Sequence, residues 1–233
     1  MGLLEVVQSG TRPTLDESFA RGLHDCCARH GVGELARTVG ADEHPLVRIV
    51  VVRDASGVLL GGGRVHERHA GKGFPAEAML RHFPVVRERI RGFAAKETLE
   101  LGSIWTTPAG KQSGVARLVM QACIATGIVM GKRSIFMVSH AQFGRVLQPI
   151  GMTAIAGLPE LPFPTAGYRS RLYAADLSAL AKSAKPDGVV GTIARTLGEG
   201  TEALALNELT SIEHGRPVWT LRRRTTQKQH SVA

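Results

Sequence analysis

Apolar residues crowd two stretches, 46–53 and 58–66, on either side of the turn cluster Asp54, Ala55, Ser56 and Gly57. Two such runs around a cluster ending in glycine predict a β-hairpin. Gly61, Gly62 and Gly63 weaken the second run and predict a bulge there. Upstream, residues 3–7 read as a short strand. Thr14 or Asp16 then caps a helix reaching about Arg29, with Phe19, Leu23 and Cys27 on one face and His30-Gly31 at its end. A second helical stretch, 34–39, is closed by Gly40.

After the hairpin, residues 71–93 have helical character. Ala76, Met79, Leu80 and Phe83 recur at helical spacing until Pro84 breaks the pattern. Residues 98–105 read as a strand, 106–114 as a loop and 115–130 as an amphipathic helix ended by Gly131. A strand at 134–139, a short helix at 140–149, a return strand from Gly151 and an alternating strand at 168–176 complete the main run. Beyond Leu180 the pattern weakens. Residues 189–197 predict a helix, 205–212 pair with 217–221 around His214, Gly215 and Arg216, and the tail after about 225 reads as disordered.

A chain of 233 residues, 43% hydrophobic and 21% charged, holds one large domain or a domain with a small appendage. No apolar run reaches the roughly 18 to 20 residues of a membrane span, and the start lacks a secretory pattern, so a soluble cytoplasmic protein is expected. Cys26, Cys27 and Cys123 form no disulfide framework and no metal-ligand spacing, and no metal is expected. The net charge of +9 is the outlier. It favours anionic partners, although a solvated, arginine-rich surface accounts for it equally well. Aromatic residues are only 5% and do not alternate with the basic ones, which argues against a nucleic-acid stacking platform.

Candidate chemistry concentrates between 98 and 152. A strand leads to Lys111, Gln112, Ser113, Gly114, Val115 and Ala116, then a long helix, a second strand, a short helix and Gly151-Met152. Main-chain N–H groups at a helix start suit a diphosphate, and the helix adds its positive end. Gly114 and Ala116 let that backbone approach closely. An ordinary strand–loop–helix connection uses the same residue types.

In this order of elements, over roughly 40–176, the chain resembles the GNAT superfamily of acyltransferases. That family's acyl-CoA loop follows Arg/Gln-x-x-Gly-x-Gly/Ala, and Lys111 stands here at the first position. The resemblance implies an α/β (α+β) fold: a central mixed, mostly antiparallel twisted sheet with splayed central strands, flanked by helices. Residues 1–180 would form this domain and 181–233 a C-terminal extension that lids the site, mediates a homodimer or packs on the sheet. It also implies acyl-CoA or acetyl-CoA as donor, with the pyrophosphate on residues 111–116 and the pantetheine amides on the backbone of Ile104, Trp105 and Thr106. Trp105 is equally suited to the core.

Within Leu99-Glu100-Leu101-Gly102-Ser103, Glu100 and Leu101 match the Glu-Leu-Ser-Arg run of acyl-homoserine-lactone synthases and N-acyl amino acid synthases. Those relatives also carry a helical insertion where 71–93 lies. Gly102 and Ser103 depart from the run, and the missing Arg points away from a homoserine-lactone product. Some of this subgroup take their acyl chain from acyl carrier protein, whose acidic surface a basic enzyme meets favourably.

An attacking amine must lose a proton. Glu100 is the first candidate base and the imidazole of His140 the second. A salt-bridged strand carboxylate and a helix-capping histidine are the corresponding structural readings. Many GNAT enzymes place a proton-donating Tyr where Leu147 stands here. Tyr168 is then the nearest donor, unless the thiolate, with a pKa near about 8.5, leaves unaided. His66 and His69 suit an acceptor pocket. Arg87, Arg89 and Arg91 suit an acceptor carboxylate, an acidic carrier or, more simply, a solvated helix face. Three functions follow. The first is N-acyl transfer to a small-molecule, amino-acid or peptide amine. The second is long-chain N-acyl amino acid or homoserine-lactone-type synthesis from acyl carrier protein. The third is a non-catalytic basic binding or regulatory protein on the same fold.

Overall fold

The two β-rich runs around Asp54 pair as β2 (Val47–Arg53) and β3 (Leu59–His66), in antiparallel register from Val47↔His66 to Arg53↔Leu59. The Asp54 side chain holds the turn by accepting from the N–H groups of Ser56 and Val58. The computed structural model describes residues 2–207, 212–213, 216–217 and 220–222. The tail expected to be disordered after about 225 lies outside them.

Around the hairpin, β1 (Gly2–Gln8), β4 (Thr98–Thr106), β5 (Ser134–His140), β6 (Thr153–Ala154), β7 (Ser170–Asp176) and β8 (Ala203–Asn207) extend the sheet. The short pair β9 (Ile212–Glu213) and β10 (Arg216–Pro217) precedes β11 (Thr220–Arg222), which returns along β8. The nine strands lie in the order β11-β8-β1-β2-β3-β4-β5-β7-β6. Among the described residues only β4 and β5 are parallel neighbours; the other pairs are antiparallel. This is the expected mixed, mostly antiparallel sheet flanked by helices.

Helices cover both faces. α1 (Pro13–Arg29) lies on one face and buries Leu15, Phe19 and Leu23 against Ile49, Val51 and Trp105. The short helices α2 (Pro75–Met79) and α3 (Pro84–Arg91) gather Phe74, Leu80, Val86 and Ile90 around Phe136 and Leu172. On the opposite face, α4 (Pro108–Gln112) leads into α5 (Val115–Val129), followed by α6 (Gly144–Leu147), α7 (Leu177–Ser183) and α8 (Val189–Gly198). No described helix is long and apolar enough to cross a membrane.

Several local expectations give way to tertiary packing. Residues 34–39 make only one 3-10 turn, Gly33–Leu35. Pro84 opens α3 instead of ending a helix, because proline fits the first turn, where no N–H is needed. Asp16 does not cap α1; it lies inside the helix and accepts from the Ser9 hydroxyl and the Gly10 N–H. α5 is less amphipathic than its sequence suggests. Leu118, Val119, Met120, Ala122, Cys123, Ile124 and Ala125 are all buried, because α8 adds Ile193 to the same core on its outer side. Between β2 and β3 the register shift falls at Val52/Arg53, whereas the irregularity expected at the glycines lies on the other side of β3, where the β3–β4 register shifts between Gly62 and Arg64. Gly61–Gly63 serve close approach. Added Cβ atoms there would sit 2.7 Å from the Trp105 carbonyl oxygen, 2.8 Å from Phe19 and 2.4 Å from Ile104.

Candidate active site

β4 and β5 share a ladder for three residue pairs, Thr98↔Ser134, Leu99↔Ile135 and Glu100↔Phe136, and no further. Beyond Glu100, β4 follows β3 as far as Gly61↔Thr106, while β5 follows β7 as far as His140↔Ser170. The two strands therefore diverge into a gap with Glu100 and Phe136 at its apex. A bulge sharpens the divergence. The β3–β4 register shifts between Gly62 and Arg64, and Ser103 takes φ 54, a left-handed conformation that non-glycine residues rarely adopt.

At the outer end of the gap, Thr107 caps α4 by accepting from the Gly110 N–H at 3.0 Å. Lys111 and Gln112 thus belong to a short helix, where a loop was expected. Gly114, at φ 71, turns the chain into α5. Lys111 and Gln112 are exposed, Ser113, Gly114 and Ala116 half-buried, and Val115 fully buried as a core anchor. By helix geometry the first amides of α5 lack partners within the helix and give this end a positive potential. The side chain of Trp105 lies in the core, edge-on to Phe19 at 5.8 Å between ring centroids. Ile104 packs against the α5 face, and the Thr106 carbonyl accepts from Arg29 Nη2 at 3.1 Å.

Glu100 is 3% exposed, and its Oε2 accepts from the Ala76 N–H in the first turn of α2 at 2.9 Å. Burial pushes its carboxyl up to about 8; the Ala76 hydrogen bond and Arg37 oppose the shift, and Glu77 adds to it. The neighbouring Gly102 carries no side chain to close the space beside Oε1. His66 pairs with Glu100 across the β3–β4 ladder and is also buried. Burial, reinforced by Arg64 and Arg37, lowers its imidazole to about 3, so it is neutral at physiological pH.

Arg64 completes this group and was not singled out by the sequence pattern. It faces Gly102 in the ladder and is 3% exposed. Its Nη1 donates to the Arg37 carbonyl at 2.8 Å and its guanidinium lies 4.3 Å from the Phe19 ring centroid, yet its buried Nε has no hydrogen-bond partner. Desolvation lowers its pKa to about 10, which leaves it charged. Among the described residues no carboxylate lies within ion-pair distance of it. An arginine inside the apolar run 58–66 was the available signal.

His140 and Tyr168 come together, 5.4 Å apart and edge-on, at the outer end of β5. His140 Nδ1 accepts from the Gln142 N–H, the helix-capping role. His140 lies four positions beyond Phe136 on β5, about 13 Å of extended chain, so His140 and Glu100 occupy opposite ends of the gap. Leu147 is buried in the core. A second tyrosine, Tyr173 on β7, donates to the Ala141 carbonyl at 3.2 Å beneath the turn that follows β5. His69 points away from this site; its Nε2 lies 3.4 Å from Asp42 Oδ2.

Similar architecture occurs in solved structures. FeeM, an N-acyl amino acid synthase from uncultured soil microbes, superposes with a TM-score of 0.57 at 12% identity, over 78% of this chain and 94% of its own. MesI, a CoA-dependent acyl-homoserine lactone synthase, gives 0.56 at 18% identity, over 84% and 95%. BjaI, a CoA-dependent acyl-homoserine lactone synthase with SAM and isopentyl-CoA bound, gives 0.57 at 12% identity, over 87% and 92%. The fold is that of the GNAT acyltransferases. No protein-family model matches the chain, and no curated protein matches it in sequence.

Proposed function

We propose that this GNAT-fold chain is an N-acyltransferase that moves an acyl group from a CoA thioester to the amine of a small molecule bearing a carboxylate. The observation that carries the proposal is the gap between β4 and β5, with a buried carboxyl at its apex and a glycine-turned helix start at its mouth. The donor's diphosphate binds at Gly114, Ala116 and the flanking residues Lys111, Gln112 and Ser113. Its pantetheine arm enters the gap along the free edge of β4 near Ile104, Trp105 and Thr106.

The acceptor approaches from the face of α1 and α2, its carboxylate against the guanidinium of Arg64. A buried cation without a carboxylate partner is costly unless something supplies the missing charge, and the orphaned Nε supports that role. Glu100, as the carboxylate, takes a proton from the ammonium or amine, directly or through a water. The amine nitrogen attacks the thioester carbonyl, the new C–N bond forms and the C–S bond breaks. The thiolate leaves as the free thiol, taking its proton from Tyr168 or from water, and the extra proton still on the nitrogen after attack returns to Tyr168 or to water. A base titrating near 8 matches an α-amino group, whose pKa is about 7.7–8.0. The similarity of fold to FeeM, MesI and BjaI favours this class of chemistry.

The test is thiol release from acetyl-, octanoyl- and palmitoyl-CoA, and from the same chains on acyl carrier protein, with amines that have or lack a carboxylate. Release requiring both an acyl thioester and a carboxylate-bearing amine is expected, with loss in Glu100→Gln. Absence of release with every pair, in protein that binds DNA with steep salt dependence, would support a basic binding protein on this fold instead.

A further inference from the structure

A cavity of about 900 Å³ lies at the other end of the sheet from Gly114. Its walls come from five separate segments: Leu46 before β2, the turn 67–73 with Glu77 and Ala78, Arg87 and Arg91 of α3, the β4 approach at Lys96 and the β5 approach at Lys132. Six cations line it: Arg68, Lys72, Arg87, Arg91, Lys96 and Lys132.

The local carboxylates do not neutralise that set. Lys132 pairs with Glu67 at 2.5 Å, and Lys72 with Asp42 at 2.8 Å. Glu77 is shared between Arg68 at 3.1 Å and Arg91 at 3.3 Å, and Arg91 also reaches the exposed Glu88 at 2.8 Å. Arg87 and Lys96 have no carboxylate partner among the described residues, and Arg87 Nε is buried without any hydrogen-bond acceptor. Two cations without a carboxylate partner, Arg87 and Lys96, in a roomy, cation-rich cavity suit an anionic acceptor that the described residues do not provide. Among the described residues no Phe, Tyr or Trp lines the walls, and His69 is the one aromatic ring there, held beside Asp42, so the lining favours charge over nucleobase stacking. Gly71, Gly73, Ala70, Ala78 and Ala95 keep the space open.

We propose that this cavity binds a small multivalent anion, a phosphorylated or polycarboxylate metabolite, between Arg87 and Lys96 with Arg68 and Arg91 behind them. The site is separate from the acyl-donor site and does not depend on the chemistry assigned to the β4–β5 gap. It adjoins that gap through α2. Glu77, between the two arginines, also accepts from the Phe74 N–H at 2.9 Å, and the next amide, Ala76, holds Glu100. An anion drawing Arg68 and Arg91 from Glu77 therefore acts on the turn that positions Glu100.

The experiment is calorimetric titration of the full chain at low ionic strength with inorganic pyrophosphate, citrate and, as a bulkier probe, ATP. Saturable binding of pyrophosphate or citrate is expected, stronger than that of ATP, and the better of the two identifies phosphate or carboxylate chemistry. Arg87→Gln with Lys96→Gln is expected to weaken it at least tenfold while leaving the Glu77 pairs and CoA binding in place. Gly114→Asp, which blocks the donor loop, is expected to leave it unchanged. Absence of saturable binding by both anions, binding unaffected by the double substitution, or binding lost in Gly114→Asp would each overturn the proposal. Because the readout is binding, it stands or falls whether or not acyl transfer is found.

Discussion

Replacing Glu100 by Gln preserves the shape of the side chain and its acceptor for the Ala76 N–H, and removes the proton equilibrium. Burial raises the native carboxyl from 4.5 to about 8. The folded protein therefore binds this proton more tightly than the unfolded chain does. The stability associated with it is fully present below pH 4.5 and is lost as pH rises towards 8. At 1.36 kcal/mol per pH unit, the interval amounts to about 5 kcal/mol. That is a large part of the 5–15 kcal/mol typical of a folded domain. The assay is urea unfolding of both proteins from pH 4 to 9. The stability of the parent minus that of Glu100→Gln should fall through this window at about 1.4 kcal/mol per unit, then level off. In the same series, the activity of the parent should rise with pH through about 8, and the variant should lose about 10²–10⁴-fold at all pH values. A stability difference independent of pH between 5 and 8.5 would mean that Glu100 is already ionised and well solvated, and would refute both its burial and its tuned role as a base.

The opposite arm of the pH profile belongs to His66, whose imidazole is lowered from 6.5 to about 3. Its stabilisation is present above 6.5 and lost as pH falls through 3. His66→Gln should therefore gain up to about 5 kcal/mol on the parent between those values, read by unfolding at acid pH. Gly114→Asp puts a side chain at φ 71 and a negative charge beside the proposed diphosphate site, and should reduce CoA affinity at least tenfold by calorimetry with the fold retained. Arg64→Met should raise KM for a carboxylate-bearing acceptor roughly 10- to 100-fold, the loss of one charged hydrogen bond at about 1.5–3 kcal/mol, without changing KM for the donor. Tyr168→Phe and Tyr173→Phe, compared by kcat with donors of different thiol pKa, separate assisted from unassisted thiolate departure. A proton donor's loss should be felt most with the most basic thiol.

The hairpin, α1, β4, α5 and β5 are legible in the chain because each carries its own period, turn or breaker. Gly114 is legible for the same reason: a helix start after a strand announces itself locally. The short insertion helices and the burial of α5 are not, since Pro84 has two opposite local meanings and α8 reaches α5 from more than sixty positions away. The site divides along the same line. Glu100 could be chosen because a lone carboxylate interrupts an apolar strand. Arg64 interrupts another, but its importance depends on the lack, among the described residues, of a carboxylate within ion-pair distance, which only three dimensions disclose. His140 is the alternative candidate base to Glu100, yet the β4–β5 ladder ends at Glu100 and leaves His140 at the mouth. The basic cavity has no linear signature at all, because its walls are drawn from segments spread over residues 46–132.

The place of β1 has a consequence during synthesis. β1 lies between β2 and β8, and its outer edge is matched to Ala203–Leu206. A ribosome adding about 5–20 residues per second exposes β1 first and delivers its outer partner roughly 10 to 40 seconds later. Throughout that interval a half-paired strand of apolar residues waits beside the polysome, open to nascent copies of itself, so slowing translation between the hairpin and β8 should reduce the yield of native protein.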